Sequence, residues 1–120
     1  ELWRVCEPGA QVRIVVPHPR HDHYLNDPTH VRPITVQGLE MFSQKRNHEW
    51  QKSGKPNTPL GLYLDVDFEI VSFDVLPDEP WRGRLQRGEM QGSELQEAMR
   101  MYANVIMETT IVMRAVKADT

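Results

Sequence analysis

Four of the chain's five histidines fall between Pro17 and Pro33, in the run His18-Pro19-Arg20-His21-Asp22-His23 and again at His30. Imidazoles beside a carboxylate can ligate zinc and similar ions, and near neutral pH an imidazole can also take up or release a proton. A metal-dependent hydrolase would use His18, His21 and His23. Their spacing departs from the helical two-ligand pattern His-Glu-x-x-His, however, and Arg20 between them would repel a cation, so the expectation is a solvated polar loop holding no metal. Asp27, His30 and Arg32 form a second candidate group, able to contact a substrate through a carboxylate, an imidazole and a guanidinium. The competing account has Asp27 capping a turn while His30 and Arg32 hold the loop by hydrogen bonds. Trp81, with Arg82 and Arg84, reads either as an exposed hot spot or as an indole folded onto the sheet.

Positioning these groups requires a scaffold, and the hydrophobic pattern supplies one. Glu1 to Cys6 reads as the end of a helix already under way, which points to residues upstream. The turn signal Pro8-Gly9 leads into Val12 to Val16, a β-branched run interrupted only by Arg13 and closed by Pro17. Such continuity predicts a strand buried on both faces. From Pro17 to Pro33 neither periodicity appears, which predicts a loop of unusual and therefore functional length. Thr35 caps a predicted helix carrying Val36, Leu39, Phe42 and Trp50 and ending at Ser53-Gly54. Asp67 to Leu76 alternates as a half-buried strand, and Asp78 to Gly92 reads as a second polar loop. A capping box of Ser93 and Gln96 opens a helix with Leu95, Ala98, Met99 and Tyr102 toward the core, and Val105 to Lys117 returns to period two as a final strand.

Composition narrows the function classes. The chain has 120 residues, 39% hydrophobic and 26% charged, which predicts one domain over residues 1–120. A net charge of −3 with no basic stripe argues against nucleic acid. No apolar run approaches the ~20 residues that span a bilayer, and no basic region precedes an apolar one at the N-terminus, so neither a membrane partner nor secretion is expected. The lone Cys6 reads as a small core residue, consistent with a reducing, cytoplasmic setting.

Two segments carry a resemblance. Leu2 to Pro17 (LWRVCEPGAQVRIVVP) is similar to the stretch of class I S-adenosylmethionine-dependent methyltransferases that passes from a helix through a Pro-Gly turn into the fifth strand. Arg4, Val5, Pro8, Gly9 and the strand match, whereas Cys6, Glu7 and Ala10 depart from the family form. Asp27-Pro28-Thr29-His30-Val31-Arg32 resembles an Asp-Pro-Thr-His-x-Arg signature that follows this strand in a subset of those enzymes. The resemblance implies an α/β fold, which could also be classed α+β. It would be a partial Rossmann-like half-fold of three main strands, the C-terminal one antiparallel in the middle, with two helices.

The family binds its cofactor through a Gly-rich turn after the first strand and an acidic residue closing the second, and neither element occurs in this sequence. No cofactor is expected for this chain alone, although S-adenosylmethionine serves the family. The resemblance implies the acceptor-side half of a methyltransferase without autonomous activity, with Asp27, His30 and Arg32 contacting the acceptor. A stand-alone oligomerising or interaction module is the alternative, and the hydrolase using the His18 to His30 loop is a second. With the family's fourth strand absent, the strand Val12 to Val16 presents an open edge, which predicts a homo-oligomer, most simply a dimer.

Overall fold

The computed structural model describes residues 1–118. Three strands carry the fold: β1 (Gln11–Pro17), β2 (Phe68–Pro77) and β3 (Ile106–Ala115), in the order β1-β3-β2. Ala115 N–H donates to the Ala10 carbonyl and His18 N–H to that of Met107, so β3 runs antiparallel to β1. Val116 N–H donates to Asp67 and Asp78 N–H to Val105, which makes β3 antiparallel to β2 as well. β1 and β2 are therefore parallel to each other, with the C-terminal strand between them.

Seven helices are present among the described residues, against the two expected, because five of them are only four to six residues long: α1 (Leu2–Val5), α2 (Asp22–Leu25), α3 (Val36–Glu40), α5 (Leu60–Leu64) and α6 (Trp81–Gln86). Periods of helical spacing that short leave little trace in a sequence. The longer two are α4 (Gln44–Ser53) and α7 (Gly92–Met101). None is long and apolar enough to cross a membrane.

Contacts divide the chain into two units: one of Glu1–Ile14, Thr35–Phe73 and the residues from Ile111 on, the other of Val15–Ile34 and Asp74–Thr110. In the first unit Trp50, Phe68, Ile111, Met113 and Ala115 are buried. Thr35 caps α3, its hydroxyl accepting from Gly38 N–H at 2.9 Å. The helix expected to run on to Ser53 instead breaks, and Ser43 caps α4 by accepting from Arg46 N–H. The break exposes carbonyls for other partners. Gly61 N–H and the buried Asn47 amide nitrogen both donate to Met41, and Phe68 N–H donates to Phe42. Gly61 is required there, since a Cβ would lie 2.9 Å from both Asn47 Oδ1 and the Phe42 carbonyl oxygen. Gly54 ends α4 in the left-handed region at φ 74°, which glycine adopts without steric cost.

The second unit packs Met90, Leu95, Ala98, Val105 and Ile106 together, with Val75, Trp81, Leu85 and Met99 partly buried against them. Each such Leu, Met, Ile or Val side chain contributes about 1.5–3 kcal/mol on burial. Helix α7 begins at Gly92, so Ser93 lies inside its first turn, and Glu94 reaches back to accept from Gln91 N–H at 3.4 Å. Tyr102, expected in the core, is 53% exposed and stacks on Trp81 at 6.0 Å between centroids, while the Arg84 guanidinium lies over Trp81 at 5.6 Å. Trp81 belongs to α6 and packs against the core, so the indole is not a loop residue.

Two burial expectations are corrected. β1 alternates, with Gln11, Arg13 and Val15 exposed and Val12, Ile14 and Val16 half-buried, because among the described residues one of its faces is left largely open. Cys6 is half-buried, placed after the last turn of the short α1 and outside both cores.

Candidate functional site

The carboxyl ends of β1 and β2 are the usual ligand-binding end of an open α/β sheet, and the histidine loop leaves from the first of them. Its backbone starts as an extension of the strand, through His18 N–H to Met107 O. The chain then turns back on itself: His18 Nδ1 accepts from Arg20 N–H at 3.1 Å. Arg20 donates from one guanidinium nitrogen to the carbonyls of Met99 and Arg100, each at 3.2 Å, where the C-terminal end of α7 concentrates negative partial charge. Asn104 completes the attachment, its N–H donating to Arg20 O and its side-chain oxygen accepting from Asp22 N–H.

His21 is the centre of this arrangement. It is 4% exposed, and its Nε2 lies 2.8 Å from Asp78 Oδ2 just past the end of β2. Its Nδ1 faces the N–H of His23 at 3.1 Å and so must accept, which leaves Nε2 to carry the proton donated to Asp78. The same Nδ1 bond caps the one-turn helix α2. The hydrogen bond from His21, aided by Glu79 N–H, holds the Asp78 carboxyl below the ordinary carboxylate range. Burial, then the nearby Arg20 charge, lowers the His18 imidazole.

This arrangement engages three of the ring nitrogens that a metal could use: His18 and His21 each give Nδ1 to a backbone N–H, and His21 turns Nε2 to a carboxylate. Among the described residues no group of three His, Cys, Asp or Glu side chains is gathered to hold a metal ion. His23 is different. Its ring lies 4.3 Å from that of His21 and lines a cleft of about 170 Å³ with Val15, Val16, Pro17, Leu76, Met107 and Glu108. An imidazole and a carboxylate thus border an otherwise apolar hollow.

The second candidate group forms a compact hook. Asp27 Oδ1 accepts from both the N–H and the hydroxyl of Thr29, at 2.9 and 2.7 Å, which lowers the Asp27 carboxyl. His30 donates from Nδ1 to the Tyr24 carbonyl at 3.2 Å and stacks on the Tyr24 ring, leaving Nε2 3.7 Å from Asp27 Oδ2. Arg32 is exposed beyond them. Asp27 and His30 are therefore together, while His21 and Asp78 form a pair that sequence reading missed. Only the polar Asp78 directly after a strand could have signalled the latter.

Comparison of the chain with family models, with curated proteins and with solved structures finds no match in any of the three.

Proposed function

We propose that the chain is the acceptor-side half of a methyltransferase-like protein, built on a partial Rossmann-like sheet and inactive by itself. The supporting observation is the order β1-β3-β2, in which a C-terminal antiparallel strand separates two strands parallel to each other and the histidine loop leaves the carboxyl end of the first. S-adenosylmethionine, which supplies an electrophilic methyl group in the family resembled, does not fit the residues present. The glycines in the left-handed region are Gly9, which precedes β1, and Gly54 and Gly88, which follow helices. None of these joins the end of a strand to the start of a helix, as a cofactor turn must.

What the chain's own residues supply is acceptor binding. His23, oriented through the His21 and Asp78 pair, faces the apolar cleft with Glu108 and can accept a proton from a hydroxyl or amine seated there. Asp27, His30 and Arg32 lie further along the same loop, where Arg32 offers a cation to an anionic substituent.

Two titrations test the reading. Calorimetry with S-adenosylmethionine should show no binding, and a dissociation constant in the micromolar range or tighter would overturn the claim of inactivity alone. Nuclear magnetic resonance titration with phenol and with benzylamine should shift the signals of His23, Leu76, Met107 and Glu108 for one of them. Shifts for neither would refute the acceptor site.

A further inference from the structure

We infer that two copies of this chain associate by pairing β1 with β1 in antiparallel fashion about a two-fold axis, with Arg13 opposite Val15 of the other copy. Among the described residues the sheet ends at β1. Ala10 opposite Ala115 and His18 opposite Met107 preserve one register along the whole strand, so even-numbered residues turn their peptide groups toward β3. Gln11, Arg13, Val15 and Pro17 consequently present theirs outward, and the first three are exposed. An edge of this length, with three N–H donors, is a template for another strand.

The sequence of the edge selects its register. Centring the axis on Arg13 would set the two guanidiniums directly opposite each other, which disfavours pairing. Centring it on Val15 leaves Gln11 beyond the end of the ladder. Centring it on Ile14 places Arg13 against Val15 and Gln11 against Pro17. All three N–H groups of each copy then find carbonyls, and the missing N–H of Pro17 falls at the last rung, where only its carbonyl is needed. The half-buried row Val12, Ile14 and Val16 continues from one copy into the next on one face. A second copy of this chain is thus the occupant whose carbonyls the edge's three N–H donors meet in a register that sets no like charges opposite each other.

Sedimentation at micromolar concentration should give twice the 14.0 kDa mass of one chain. Amide exchange at Gln11, Arg13 and Val15 should slow as concentration rises. Val15 is 43% exposed, so charge can be introduced there without disturbing a core. Val15→Glu creates two cross-strand pairs with Arg13 and should tighten the dimer roughly tenfold. Val15→Arg should loosen it by a similar factor, and Arg13→Glu combined with Val15→Arg should restore it. A folded native monomer with fast exchange at the three amides would overturn the proposal, as would a dimer whose affinity ignores the charge at position 15.

Discussion

Between Pro17 and Leu25 the histidine loop has side-chain hydrogen bonds spanning 57 to 82 residues of sequence, from His21 to Asp78, Arg20 to the end of α7 and Asn104 to Asp22. From Asn26 to Pro33 its side-chain bonds reach no further than six, from Asp27 to Thr29 and from His30 to Tyr24. The first stretch is fixed by other elements and fixes them in return. The second is a hook closed on itself, whose residues can change without disturbing distant ones. Residue types suited to chemistry occur in both, so chemical type alone does not tell a structural histidine from one available to a ligand.

The largest expected effect comes from cutting the first attachment. His21→Ala removes a buried ring, strips Asp78 of its partner and uncaps α2. Urea unfolding should show a loss of about 2–4 kcal/mol. A loss no greater than that of a surface substitution would erase the contrast between the two stretches.

The same pair should show itself in acid. Because the Asp78 carboxyl is lowered from its usual 3.8, its contribution to stability is complete above that value and disappears as pH falls through the lower folded one. Unfolding curves recorded from pH 6 down to about pH 3 should therefore fall more steeply for the native chain than for Asp78→Asn. Parallel curves would mean that the His21 bond does not discriminate between the two protonation states.

Arg20→Ala should cost about 1 kcal/mol in the same assay, through two bonds to the carbonyls that end α7. His30→Ala is the smallest effect, under about 1 kcal/mol, since the hook loses one bond and a partly exposed stacking contact. A larger cost for His30 than for Arg20 would reverse the assignment of anchor and hook.

The strands were legible because period two survives translation into burial: Thr109, Ile111, Met113 and Ala115 are all buried along β3. Thr35 and Gly54 were legible because caps act through their own backbone neighbours. Ser43 was not. A serine inside a helical pattern reads as a solvent-facing residue, and only the partners waiting for the Met41 and Phe42 carbonyls explain why the helix stops before it. Continuous apolar character overstated the burial of β1, since Gln11, Arg13 and Val15 are exposed. At the candidate site the histidines were legible by type. Their division into His21 bound to Asp78, His23 at the cleft and His30 in the hook depends on contacts across half the chain, which no local spacing records.

The interrupted helix between Glu40 and Gln44 also bears on how this sequence can change over generations. Two successive carbonyls there serve three donors, from Asn47, Gly61 and Phe68, in three different elements. Inserting or deleting one residue between Met41 and Ser43 would rotate those oxygens by about 100° along a helical path and deprive all three donors together. Substitutions that keep the count are absorbed by neighbouring side chains, whereas a change in count has no local remedy. Related chains should therefore vary in residue identity through this corner while keeping its length, and length variation should accumulate instead in the exposed stretch from Lys55 to Thr58.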